Sequence, residues 1–379
     1  MSSLILDSFE IHNFRPFRHL KIKRLARVNL IVGENNVGKT SLLEALHLYA
    51  SRAVPEVIWN LLETHQESLF LPRRGDFNPL QQRLQSLAYL FYGRPKISSY
   101  PKDELPKPIT IGPVGSPKQT LKLAMAWYKE IYDLNLKAFL LEALPPEQIH
   151  LIQEPVPALV AQLGDEPETV YRLDKENKLK KKLASPDFTN ILVPTQSLSE
   201  PEIDLLWNKI ALTSLEDNVI KALRIIGPKI ERLTLFNSLN GAQPGRIPMV
   251  RVAGDNKPIP LLSLGEGVNR LFNIALALVN AQNGLLLIDE LESALYYAIQ
   301  PDVWRIIFDL AQRLNIQVLV TTHSWECIDA FQIAANENEN VEGLLFSLRN
   351  KKGKPGEVVA ILYEEEELEI AAHAQIEVR

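Results

Sequence analysis

Gly33-Glu34-Asn35-Asn36-Val37-Gly38-Lys39-Thr40 follows an almost unbroken apolar run at 27–32 (RVNLIV) and precedes Leu42, Leu43, Leu46 and Tyr49 at helical spacing. An apolar run of that length reads as a strand buried on both faces. The octapeptide matches G-x-x-x-x-G-K-[ST] completely, a match expected by chance in fewer than about one such chain in a hundred. Its glycines let the backbone curl until the N–H groups of Glu34 to Ser41 face phosphate oxygens, and the following helix adds the positive end of its dipole. Lys39 is expected to reach the β- and γ-phosphates of a nucleotide, and the Thr40 hydroxyl to ligate Mg²⁺. Strand, loop and helix in this order imply an α/β fold.

Leu285-Leu-Leu-Ile-Asp289-Glu290 supplies a second part. The apolar strand delivers Asp289 to the sheet's carboxyl edge, where it can hold Mg²⁺ through water, and Glu290 can then orient and deprotonate an attacking water. A helix carrying Val303, Ile306, Ile307, Leu310 and Leu314 leads to another strand at 317–321 (QVLVT). Such a crossover belongs to a parallel sheet, and it carries His323 to the side of the γ-phosphate. Ser263-Leu264-Gly265-Glu266-Gly267 opens a nearly all-apolar helix at 266–281. A serine and glycines at a helix N-terminus make another anion site. One triphosphate rarely needs two such sites, so Ser263, Gly265 and Gly267 are expected to face a nucleotide held by a second copy.

Working outward, 4–12 and 17–23 read as strands joined by the turn Asn13-Phe14-Arg15-Pro16, and 343–349 with 357–363 as a hairpin. The stretch 51–244 is expected to be an inserted, mostly helical region. Helices are expected at 56–71, 80–92, 201–212 and 215–226, strand then helix over 119–143, and a strand at 190–193. The charged run 175–182 reads as a solvated helix or loop, and Glu364–Glu367 as a helix start. Prolines interrupt any long heptad pattern.

Apolar residues make up 46% and charged residues 23% of 379 residues, with net charge −5, an ordinary globular balance that argues against a general nucleic-acid coat. No run approaches the roughly 18 apolar residues of a membrane span. The single Cys327 excludes an internal disulfide, and the N-terminus lacks a leader pattern, so a cytoplasmic setting is expected. The basic residues Arg15 to Arg27 and Lys178 to Lys182 read mainly as solvated faces, the tryptophans as packing. His12, His19, His47, His65, His150 and His373 are scattered singly, so no metal site beyond Mg²⁺ is expected.

The four motifs, in this order, resemble the ABC-class ATPase heads of SMC, RecF and OLD proteins, most of all short OLD-like ATPases. The resemblance makes Gly33–Ser41 a Walker A loop, Ser263–Gly267 a signature motif, Leu285–Glu290 a Walker B strand, Glu292-Ser293 part of a D-loop and His323 a switch histidine. It covers 1–50 and 245–363, and residues 1–50 with 245–379 would form the ATPase core. It departs at Leu264, where many members have glycine, and in the absence of a long coiled coil. It implies a P-loop NTPase with a mainly parallel central sheet, N-terminal antiparallel strands and an inserted helical lobe. It also implies Mg²⁺ with ATP, a homodimer or higher homo-oligomer, Arg15 near the nucleotide and Gln196 at a Q-loop position near the metal. The chain after His323 is too short for the Toprim nuclease of full OLD proteins. The favoured role is therefore a regulatory ATPase for a separate effector, such as a Toprim nuclease in phage defence. The alternatives are a RecF-like DNA-repair ATPase and a nucleotide-gated assembly or sensor with slow turnover.

Overall fold

The computed structural model describes residues 4–68, 78–98, 104–135, 137–152, 154–175, 188–237, 246–338 and 340–363. A hairpin of β1 (Phe9–Phe14) and β2 (Phe17–Ile22) precedes β3 (Val28–Gly33) and α1 (Lys39–Ala50). Helices α2 (Pro55–Thr64) and α3 (Pro79–Ala88) are followed by β4 (Ile109–Gly112), β5 (Leu121–Asp133), β6 (Ala138–Ala143), β7 (Val156–Leu163) and β8 (Thr169–Arg172). Next come β9 (Asn190–Val193), α4 (Glu200–Ile210), α5 (Ser214–Leu223), β10 (Ile230–Asn237), β11 (Arg246–Val252) and β12 (Ile259–Pro260). The remaining elements are α6 (Glu266–Asn280), β13 (Leu285–Ile288), α7 (Gln300–Arg313), β14 (Gln317–Thr321), α8 (Trp325–Asn336), β15 (Gly343–Asn350) and β16 (Glu357–Tyr363).

One large mixed sheet runs β8-β7-β5-β4-β1-β2-β16-β15-β3-β14-β13-β9, with β6 added to β5; β10, β11 and β12 form a small separate sheet. The strands β9, β13, β14, β3 and β15 are parallel to one another, and the strands from β2 to β8 are antiparallel. Alternation across the parallel block explains its unbroken apolar runs. Leu286, Ile288, Val318 and Val320 join a core with residues of α4 to α8. Leu285, Leu287 and Leu319 point the other way, into a core with residues of α1, α2, α3 and the antiparallel strands.

The expectation of a mostly helical stretch at 51–244 is overturned, because that stretch supplies β4 to β10. Over 119–143 the expected strand is present as β5, which β4 and β7 pair on its two sides, burying Leu121, Leu123, Met125 and Trp127 and leaving Lys122 outside. The expected helix is replaced by β6, whose helix formers Ala138, Leu140, Leu141, Glu142 and Ala143 pair with β5 instead, so tertiary pairing overrides local propensity. Helices at 55–64, 79–88, 200–210 and 214–223 agree with expectation apart from their ends, and α4 opens with a capping box between Ser199 and Glu202. The antiparallel block is consequently wider than a mainly parallel sheet would have. The histidines are also not all single: register sets His12 opposite His19. Most of the charged run 175–182, including Lys178–Lys182, and Glu364–Glu367 lie outside the described residues. Among the described residues no helix is long and apolar enough to cross a membrane.

Helix α6 is buried around most of its circumference. Its Phe272 is fully buried, with its ring 6.3 Å from that of Trp207 on α4. Phe272→Ala is expected to cost about 3–5 kcal/mol, read from urea unfolding followed by tryptophan fluorescence.

Candidate functional site

The fully buried β3 carries the chain to Gly33, whose φ is +147° and whose Cβ, if present, would lie 2.6 Å from the Leu348 carbonyl oxygen. Gly38 has φ +107°, and a Cβ there would meet the Phe17 ring at 2.6 Å. Only glycine fits either place. Between them Glu34, Asn35 and Asn36 are exposed, Val37 is buried, and α1 begins at Lys39. The Lys39 ammonium donates to the carbonyls of Gly33 at 2.7 Å and Glu34 at 3.1 Å, so it lies folded across its own loop.

Beneath this loop sits Asp289, 5% exposed. Its carboxylate accepts hydrogen bonds from Thr40 at 3.0 Å, Thr195 at 3.0 Å and Thr321 at 2.7 Å. Hydroxyl and carboxylate oxygens are the hard donors that Mg²⁺ takes, so Thr40 and Asp289 fit that ion. The Thr321 hydroxyl also accepts from the Glu290 N–H at 2.9 Å. Glu290 itself has φ +49°, a conformation that costs a non-glycine residue energy and concentrates at functional sites. His323 Nδ1 lies 3.0 Å from Glu292 and 3.6 Å from Glu290, and Glu292 also accepts from the His323 N–H at 2.9 Å.

Lys39, Thr40, Ser41, Asn35, Asn36, Gly38, Glu290, His323 and Arg15 line one cleft of about 1080 Å³. Three distant segments thus converge. Gly33 and Val37 frame the loop from within, and Glu34 contributes its carbonyl to Lys39. Ser263, Gly265 and Gly267 do not line this cleft; Ser263 and Gly265 are exposed, while Gly267 is tight against the Ala294 carbonyl. Gln196 is exposed, and it is its neighbour Thr195 that meets Asp289. Arg15 reaches the cleft wall, but its guanidinium is engaged by Glu44 at 2.8 Å and Glu67 at 3.0 Å.

Two residues in this region carry no sequence signal. Thr195 is a hydroxyl in a loop. Arg270 looks like one polar residue on an apolar helix, yet it is 2% exposed and donates to the carbonyls of Pro194, Asp289 and Glu290. Burial pushes its guanidinium down to about 10, against the pull of Asp289, Glu292 and Glu290. It stays charged at neutral pH. Cys327 is fully buried, and burial pushes its thiol up to about 12, so it is no nucleophile.

His65 Nε2 lies 2.5 Å from Glu44, the carboxylate that also holds Arg15. That hydrogen bond raises the His65 pKa above 6.5, with burial opposing. A folded value above the unfolded one means the protonated ring stabilises the fold fully below pH 6.5. The increment disappears as pH climbs through the raised value. The gap in urea stability between wild type and His65→Gln is therefore expected to shrink on going from acid to mildly alkaline pH; a gap independent of pH would contradict this.

Residues 5–82 match a family described as AAA ATPase domain, and residues 165–329 one described as AAA domain, putative AbiEii toxin, Type IV TA system. A protein of Helicobacter pylori named ATP/GTP phosphatase is 23% identical over 364 residues, spanning 88% of this chain and 90% of its own length. The DNA replication and repair protein RecF of Thioalkalivibrio sulfidiphilus is 42% identical over 48 residues, 13% of each chain. Among solved structures, an SMC head bound to the C-winged helix domain of ScpA aligns over 96% of this chain and 99% of its own, at 13% identity and a TM-score of 0.49. The SMC head domain from Thermotoga maritima aligns over 95% and 100%, at 13% identity and a TM-score of 0.41. The two family matches fall on the two stretches that build the cleft, so the chain is an α/β P-loop protein similar to AAA ATPase domains on both sides of its site.

Proposed function

We propose that this chain binds and hydrolyses ATP, with Mg²⁺, in the cleft between the phosphate loop and the Asp289–His323 edge. The observation that carries the reading is the buried carboxylate of Asp289 gripping the Thr40 hydroxyl, with Glu290 and His323 opening into the same cleft as Lys39. On nucleotide binding, the Lys39 ammonium exchanges the carbonyls of Gly33 and Glu34 for phosphate oxygens, and the loop N–H groups of Asn35 to Ser41 complete the cradle. Thr40 and Asp289 would hold Mg²⁺, which when bound would supply positive charge beside the phosphates. Glu290 accepts the proton of the attacking water, and His323, steered by Glu292, donates to the phosphoryl oxygens. Arg270 is a positioning residue. It ties the carbonyls of Asp289 and Glu290 to α6, whose N-terminus carries Gly265.

The exposed Ser263 and Gly265, outside the chain's own cleft, support a second element of the proposal: each caps the γ-phosphate held by a neighbouring copy in a homodimer. ATP-driven closing and opening then regulates a separate effector, of the Toprim nuclease kind in phage defence. The family description naming a toxin system favours that setting. The short match to RecF favours a second reading, a DNA-repair ATPase, for which turnover stimulated by DNA is the test. The relative named for both ATP and GTP makes GTP a substrate worth assaying beside ATP.

Phosphate release by Glu290→Gln is expected to fall about a hundredfold or more, with nucleotide binding retained. An unslowed variant ends the assignment of Glu290. In light scattering, Glu290→Gln is expected to dimerise on adding ATP, and the same protein carrying Ser263→Arg to remain monomeric. Dimers that form equally well with Ser263→Arg remove the shared-site element and leave hydrolysis untouched.

A further inference from the structure

Strands β1 and β2 set His12 opposite His19 and Glu10 opposite Lys21. Opposite residues in an antiparallel pair project from the same face. The other face, with Phe9, Ile11, Leu20 and Ile22, is buried in the core, so the two histidines and Glu10 share the solvent side. Their imidazoles are stacked, with centroids 4.4 Å apart and planes 8° from parallel. Glu10 Oε1 lies 2.9 Å from His19 Nε2 and 3.8 Å from His12 Nε2. One donor atom from each of the three residues falls within 4.8 Å of the other two.

The Glu10 separations are close to what an ion requires, and the two stacked imidazoles must turn about their side-chain torsions for their in-plane lone pairs to converge on one ion. Zinc bonds of about 2.0–2.2 Å put neighbouring ligands about 3–3.5 Å apart in tetrahedral or octahedral geometry, and the two Glu10 distances bracket that range. Two imidazoles with a carboxylate form a mixed nitrogen and oxygen set suited to zinc and its first-row neighbours, and too nitrogen-rich for Mg²⁺. We propose that Glu10, His12 and His19 form a binding site for a divalent first-row transition-metal ion, open to solvent on its outer side. The competing group is Lys21, whose ammonium stands 3.8 Å from Glu10 Oε1 on a side chain 40% exposed. Metal entry moves that ammonium into solvent. The bound ion fastens β1 to β2 close to the turn whose Arg15 and Pro16 line the nucleotide cleft. The site is independent of ATP hydrolysis.

The test is calorimetric titration of the full chain with Zn²⁺, without nucleotide. Wild type is expected to take up one equivalent, and His12→Gln/His19→Gln to lose it while keeping its far-ultraviolet circular dichroism. Asp289→Asn is expected to retain the equivalent, which separates this site from the nucleotide cleft. Lys21→Gln, which removes the competing cation, is expected to tighten binding several-fold. Absence of Zn²⁺ uptake by wild type, or equal uptake by the double histidine variant, overturns the proposal.

Discussion

The Asp289 carboxylate is taken almost wholly out of water, and a charge in that position is tolerated only with donors around it. Three threonine hydroxyls supply them: Thr40 at the start of α1, Thr195 after β9 and Thr321 at the end of β14. Each such charge-assisted bond contributes about 1.5–3 kcal/mol. Their larger consequence is geometric, because the phosphate loop, two flanking strands and β13 are drawn to one point. Thr321 extends the same network by accepting the Glu290 N–H, and Arg270 fixes the carbonyls on the other side of that residue. The positive φ of Glu290 is held by these bonds and directs its side chain toward the cleft.

A second layer of control comes from the β1–β2 hairpin. Phe17 packs where a side chain on Gly38 would go, so the hairpin limits how far the phosphate loop can move. Arg15, in the turn of that hairpin, is pinned between Glu44 of α1 and Glu67 beyond α2, with His65 on the far side of Glu44. Breaking such a buried set by removing one member is costly, since it strands an uncompensated charge. The arginine expected to approach a nucleotide therefore also joins three segments into the wall of its cleft.

Legibility followed the range of the interaction concerned. The phosphate loop, the Asp289-Glu290 strand end and His323 were readable because each is a local pattern whose neighbours in sequence dictate its shape. Over 119–143 the expected strand is present as β5, but the expected helix failed: Ala138 to Ala143 has the composition of a helix, and its strand state as β6 depends on pairing with β5. Thr195 and Arg270 were missed for a related reason: a hydroxyl or guanidinium acquires meaning from the carboxylate or carbonyls it meets, and these lie 94 and 19 residues away. His12 and His19 looked isolated, since the count between them says nothing until a hairpin register makes them partners.

From its sequence alone this chain was determined to be α/β, with a glycine-framed loop between a buried strand and a helix and an apolar strand ending in two carboxylates. Those features rest on φ requirements, on runs of apolar side chains and on helix ends, all set within a few residues. Tertiary structure alone decided that the antiparallel block extends through β4, β5, β7 and β8, that Arg15 is held by carboxylates, that Thr195 and not Gln196 meets Asp289, and that two histidines and a glutamate share a face. Each of these depends on which backbone segments pair and in what register, and pairing energy is a property of the assembled sheet.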